Sequence, residues 1–326
     1  MVSNLPAPGR VLTQRDPEYR RKYRLYVPTR CRADRPWPLV VACHGTRPWD
    51  TARRQLDTWK GLAEQKGFLL AAPELVGTAF PTPSTQEQIS RQMDDERAIL
   101  AMVRSIRAAR SVDEARIFLT GWSAGAYAVL FTGLRHPDIF RALAIRQGNF
   151  DAALVEPCIP FLDRYQPIML LYGSIDPLKE DALASRDWLR SHGLEPRMRE
   201  RPGPHRRGPE EEFAFFAHVV RRRPWIRIHV RDNPLDDMEV SFSVKSSFEP
   251  ISRLWDFGDD ASDRWEAGEE EPSRAPDARH RYAKPGLYTV RVKLEAPNGK
   301  SFARSIRLQV PRIRLGVTPP STGPAP

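Results

Sequence analysis

Cysteine is scarce, with Cys31, Cys43 and Cys158 the only three in 326 residues. That is too few for a disulfide framework, and the odd number leaves at least one thiol unpaired. Cys43 ends an apolar run and reads as a small buried residue. Long apolar runs are also missing: no stretch approaches the roughly 20 residues that a membrane span needs. The first ten residues, Met1 to Arg10, hold no apolar segment, so no signal peptide is expected in the sequence as it stands. There is no Cys-x-x-Cys pair and no His-x-x-x-His helix. The acidic run Asp256, Asp259, Asp260 and Asp263 lacks the spacing of a calcium loop. Neither a metal nor a cofactor is therefore expected.

What is present is enough apolar material, 40% of residues, to build a real core. At about 150 residues per domain the length suggests two domains. The net charge of +10 raises the question of nucleic acid. Its distribution answers against a specific site. The first 225 residues carry 35 basic and 26 acidic side chains, whereas the remainder carries 16 and 15. The excess is scattered over residues 20–22, 53–54, 197–207 and 221–223, with no aromatic interleaving and no nucleic-acid motif. It reads as a solvated arginine-rich surface.

Through the first 225 residues short apolar runs alternate with helical patterns. Strands are expected at 23–27, 39–43, 68–72, 117–120, 143–146 and 168–172. Helices are expected at 51–66, 90–110, 124–135, 181–191 and 210–223. In the second of these Ile99, Val103 and Ile106 share one face, with Asp94 to Glu96 early and Arg104 to Arg110 late, as the helix dipole favours. Strands alternating with helices predict a parallel sheet covered on both faces, an α/β class. Beyond residue 225 the period changes to two. Runs at 225–231, 238–243, 251–255, 287–294 and 301–310 predict a small antiparallel sandwich. Residues 259–277 read as a loop insertion, and 311–326 as a disordered tail. The expected domains are thus 1–225 and 226–310.

Gly121-Trp122-Ser123-Ala124-Gly125 matches Gly-x-Ser-x-Gly, a pattern that chance places in roughly one chain of this length in ten. Its setting between an expected strand and an expected helix makes it a nucleophile elbow, with Ser123 as nucleophile. The Ala124 N–H then stands at a helix N-terminus, suited to a developing oxyanion. A second oxyanion donor is expected from the loop after Cys43, at Gly45 or Thr46. A serine hydroxyl needs a base. Among the seven histidines His205, on a Pro/Gly-built loop before the last helix, is preferred, with His218 as alternative. His44 is expected to shape the oxyanion loop. The acid is expected at Asp176, just past a parallel strand on the ligand-facing edge of the sheet, with Asp151 in reserve. The order Ser123, Asp176, His205 is the one this elbow architecture uses. Arg47, Trp49 and Asp50 are candidates to line a pocket, and Glu74 and Phe80 fall near the expected cleft without an assigned role.

Residues 24–28, 38–45 and 121–125, the segment Gly173 to Asp176, and His205 together resemble the esterase and polyhydroxybutyrate-depolymerase group of α/β hydrolases, near the feruloyl and acetylxylan esterases. The group's glycine-rich segment after His-Gly is replaced here by Thr46 to Asp50. Residues 255–260 and 280–290 resemble a PKD domain, an immunoglobulin-like sandwich. The resemblance implies a Ser-His-Asp esterase acting on carboxylic esters, free or linked to a polysaccharide or other polymer. It also implies a sandwich that serves as spacer or contact module in extracytoplasmic proteins. A start codon placed too late would reconcile that setting with the absent signal peptide. Two alternatives stand beside this one: a peptidase of the prolyl-oligopeptidase type, and a non-catalytic protein binding polysaccharide or a cell surface.

Overall fold

Branched and small apolar residues between turn-forming ones lay down a sheet whose inner strands are buried on both faces. The computed structural model describes residues 8–80, 84–222, 224–268 and 277–311. The chain divides into two units, Met1–Trp225 and Ile226–Pro326. The first unit begins with strands β1 (Val11–Arg15), β2 (Lys22–Tyr26) and β3 (Trp37–Cys43), then helix α1 (Ala52–Lys66) and β4 (Leu69–Pro73). Next come α2 (Thr85–Ala109), β5 (Val112–Trp122), α3 (Gly125–Arg135), β6 (Ala142–Arg146) and the short α4 (Ala152–Val155). It closes with β7 (Ile168–Gly173), α5 (Lys179–Ser191), β8 (Arg197–Arg201) and α6 (Glu210–Arg222).

The eight strands form one sheet in the order β1-β2-β4-β3-β5-β6-β7-β8. From β4 to β8 neighbours run parallel, and β1 and β2 add an antiparallel edge. Along β3, Leu39, Val41 and Cys43 enter one core with Ile99 and Val103 of α2 and Val129 of α3. Val40 and Ala42 enter the other with Leu56 and Trp59 of α1 and Phe216 of α6. Each such buried Val or Leu contributes about 1.5–3 kcal/mol relative to exposure. The strand order reverses at β3, whose end pairs with β5 at Cys43↔Gly121. The loops leaving β3 and β5 therefore diverge from a common point, where open α/β sheets leave a crevice.

Three differences from the sequence reading have physical causes. Edge strands β1 and β8 carry few apolar residues, so periodicity gave no signal. Charged edges such as Arg197–Arg201 also deter pairing with another chain. Helix α2 starts at Thr85 rather than near residue 90, which moves Asp94 to Glu96 out of the first turn. Instead of complementing the dipole, Asp95 accepts the N–H groups of Val76 and Gly77, and Glu96 accepts from Arg135. In the second unit, part of the expected 259–277 loop is a strand.

That unit comprises β9 (Ile226–Asp232), β10 (Glu239–Ser246), β11 (Ser252–Asp256), β12 (Ser262–Glu266), β13 (Ala278–Arg281), β14 (Gly286–Glu295) and β15 (Ser301–Val310). Two antiparallel sheets, β13-β10-β9 and β12-β11-β14-β15, enclose Phe242, Trp255, Val290 and Val292. β12 pairs with β11 at the sheet's edge, and its polar, exposed sequence concealed it. The remainder of that expected loop at 269–276, and the expected tail from 312 onward, lie outside the described residues.

Candidate active site

β5 ends at Trp122 and α3 begins at Gly125, leaving two residues to reverse the chain. The turn holds Ser123 at φ 54°, a left-handed conformation that costs an L-residue about 1–2 kcal/mol. Crowding explains both flanking glycines. A Cβ on Gly121 would stand 2.6 Å from the Gly125 carbonyl oxygen, and one on Gly125 would stand 2.7 Å from those of Cys43 and His44. The Ser123 N–H donates to the Arg146 carbonyl at 3.1 Å, which fixes the elbow to the end of β6. The Ala124 N–H has no acceptor among the described residues and stands at the positive end of α3.

Asp176 follows β7, its side chain fully buried. It accepts the Leu178 N–H at 2.9 Å, and the His205 Nδ1–H lies 3.1 and 3.2 Å from its two oxygens. The His205 loop is interlocked with the end of β7. The Gly203 N–H donates to Ser174 Oγ at 3.1 Å, and the Ile175 N–H donates to the Gly203 carbonyl at 3.3 Å. This approach requires Gly173, where a Cβ would stand 2.3 Å from the Gly203 oxygen. The imidazole packs on Trp122, ring centroids 4.8 Å apart, which brings it beside the residue preceding Ser123.

Of the two expected donors after β3, Gly45 is the one already engaged. Its N–H already donates to Asp50 Oδ2 at 2.6 Å, and a hydrogen bond to a buried carboxylate is not readily given up. Thr46, by contrast, keeps an N–H without an acceptor among the described residues. His44 holds this loop from inside: it accepts the Leu75 N–H at Nε2 and donates from Nδ1 to the Gly45 carbonyl. Burial pushes its pKa down, so it is a neutral structural ring with both nitrogens occupied.

The reserve candidates are elsewhere. Asp151 caps α4 through the Ala153 N–H, and His218 is exposed on α6. Glu74 approaches His44 at 3.8 Å, and Trp49 and Phe80 form an exposed pair with centroids 5.3 Å apart. Sequence reasoning missed Gln147 and Arg207. Arg207 lies in the arginine cluster read as solvated. Its Nη2 pairs with buried Asp50 at 2.8 Å, its Nη1 donates to Gln55 at 3.1 Å, and its guanidinium lies 3.8 Å from the Trp122 ring centroid. Asp50 thus ties the loop after β3 to the loop that carries His205. Asp50→Ala strands both Arg207 and the Gly45 N–H, and is expected to cost about 1–3 kcal/mol, discounted for the partial exposure of Arg207. A urea-unfolding midpoint unchanged from that of the parent would contradict this.

Comparison with known proteins agrees with this architecture. Residues 55–174 match the prolyl oligopeptidase family model, and residues 236–310 match that of the PKD domain. The first unit is an α/β-hydrolase fold. The second is a PKD domain. Over 116 residues, 34% of this chain, the sequence is 28% identical to poly(3-hydroxyalkanoate) depolymerase C of Paucimonas lemoignei, and the match spans 28% of that protein's length. A ferulic acid esterase from Anaeromyces mucronatus superposes with a TM-score of 0.51 at 14% identity, over 66% of this chain and 91% of that one. A truncated carbohydrate esterase from gut microbiota gives 0.50 at 16% identity, over 67% and 100%. The α/β-hydrolase unit therefore resembles the esterase and depolymerase group. Among the described residues no cluster of His, Cys, Asp or Glu could hold a metal, and no helix is long and apolar enough to cross a membrane.

Proposed function

We propose that this chain hydrolyses carboxylic esters through an acyl-enzyme on Ser123. The observation that carries the reading is the bond from His205 Nδ1–H to buried Asp176, formed on a loop whose imidazole packs against the elbow. An imidazole protonated at Nδ1 leaves Nε2 free to accept a proton. In this reading His205 Nε2 takes the Ser123 proton as Oγ bonds to the ester carbonyl carbon. The carbonyl electron pair moves to oxygen, held by the N–H groups of Ala124 and Thr46. When the tetrahedral adduct collapses, the ester C–O bond breaks and Nε2–H protonates the departing alkoxide. Water, deprotonated by the same nitrogen, then releases the acid and restores the serine. The similarity to a polymer depolymerase and to esterases favours an ester substrate, with the PKD domain as a contact module for a polymer or protein surface. No cofactor enters any step.

A second reading, a peptidase, is favoured by the prolyl oligopeptidase match over residues 55–174, which includes Ser123. Matched nitrophenyl ester and nitroanilide substrates separate the two. The ester reading expects turnover of the first and little of the second. The decisive experiment is fluorophosphonate labelling of the parent, Ser123→Ala and His205→Ala proteins alongside ester turnover. The parent is expected to label and turn over. Both variants are expected to lose labelling and about 10⁴-fold or more in kcat. A folded parent protein that neither labels nor cleaves esters or amides sinks the catalytic reading.

A further inference from the structure

The peptide groups on both sides of His205 are gripped by a single buried side chain from the end of β6. Gln147 Nε2–H donates to the Pro204 carbonyl at 2.8 Å, and Gln147 Oε1 accepts the Arg206 N–H at 2.5 Å. We propose that Gln147 is a positioning residue for the base, fixing the backbone from which His205 reaches Asp176 and packs beside the Ser123 elbow. This rests on the reading of His205 as the base.

Gln147 stands immediately after β6 and is 3% exposed. Its φ of 49° is left-handed, and its N–H donates to the Leu171 carbonyl at 2.6 Å, so the strained conformation is locked by β7. A non-glycine residue persists in that conformation only where its surroundings over-determine it. Here the strained backbone points the amide across the tip of the sheet into the loop that carries His205. The amide is the group this position needs, because one end must donate and the other must accept. A glutamate in its place could not donate to the Pro204 carbonyl, and an asparagine would be a methylene too short.

The preceding residue gives the contact its consequence. The Arg146 carbonyl accepts the Ser123 N–H at 3.1 Å. The dipeptide Arg146-Gln147 therefore holds the nucleophile's backbone with its first residue and the base loop with its second. It sets the register between two elements that lie 82 residues apart in sequence, at positions 123 and 205. Gly173 leaves the space for this grip, since a Cβ there would stand 3.0 Å from Gln147 Nε2.

The test uses the full chain with Gln147→Met, which keeps the length and removes both polar ends. A second variant, Gln147→Gly, removes the side chain and relieves the left-handed backbone. In both, kcat for a nitrophenyl ester and the rate of fluorophosphonate labelling per folded protein are expected to fall about 10- to 100-fold, with KM changed by less than about 3-fold. The low-field proton resonance of the His205 Nδ1–H bonded to Asp176 is expected to broaden or vanish, a signal that loss of stability alone would not remove from folded protein. Folded variants that keep the resonance and parental kcat overturn the proposal. So does a loss of activity that merely tracks the folded fraction, or failure of both variants to fold, since the role is then structural. A parent protein that shows the resonance but neither labels nor turns over would instead refute the catalytic reading.

Discussion

Asp176→Asn is expected to lower kcat by about 10⁴-fold with little change in unfolding midpoint. The direction follows from two contacts. The Leu178 N–H donates to Asp176 Oδ1 at 2.9 Å, so an asparagine would place its carbonyl oxygen there. Its NH₂ group would then occupy the Oδ2 position, 3.2 Å from His205 Nδ1, beside the retained oxygen at 3.1 Å. That donor disfavours a proton on Nδ1, and a ring turned to accept from it carries its proton on Nε2, the atom that takes the Ser123 proton in the proposed mechanism. The imidazole would then stay in place with its tautomer no longer fixed. The loss of the negative charge also removes stabilisation of the imidazolium that forms during attack. Steady-state ester kinetics beside urea unfolding would check this, and a kcat within tenfold of the parent would remove Asp176 from the proposed acid role.

Glu212→Ala is expected to destabilise the first unit by about 3–5 kcal/mol. Glu212 on α6 and Arg146 at the end of β6 form a bidentate pair, both bonds 2.7 Å, with side chains 3% and 11% exposed. Burial pushes the Glu212 carboxyl up, and the facing guanidinium opposes that shift. Truncating the acid leaves Arg146 buried without its counter-charge, the costly half of a buried ion pair. Removing both charges with Arg146→Met and Glu212→Leu should recover most of the loss, because the desolvation of both groups disappears with them. Urea midpoints at constant m-value report the difference. A single variant within about 1 kcal/mol of the parent would show that water reaches the arginine. The same substitution should also lower activity, since the Arg146 carbonyl holds the Ser123 N–H.

The interior strands and most helices were legible because their signals are local. β3 and β7 are short apolar runs, α1 is stopped by Gly67 in the left-handed region, and the elbow glycines mark a crossing that only hydrogen side chains allow. The edges β1, β8 and β12 were not legible, since a strand with one free side and polar residues has no apolar period to read. The start of α2 was missed for a related reason: its first turns hold no apolar stripe to mark them.

For the site, the sequence by itself singled out the residues proposed to carry the chemistry, at loop positions after strands: Ser123 on its elbow, Asp176 beyond β7, and His205 among prolines and glycines. It determined the α/β class of the first unit and the all-β class of the second through a change of hydrophobic period. What only the tertiary structure decided is how those loops hold one another. The Gly45 N–H belongs to Asp50, Arg207 crosses from the His205 loop to Asp50 and Gln55, and Gln147 clasps both peptides flanking His205. Periodicity and turn chemistry act over about a dozen residues. These contacts join positions as far apart in sequence as Asp50 and Arg207, which the strand order of the sheet brings to a common edge.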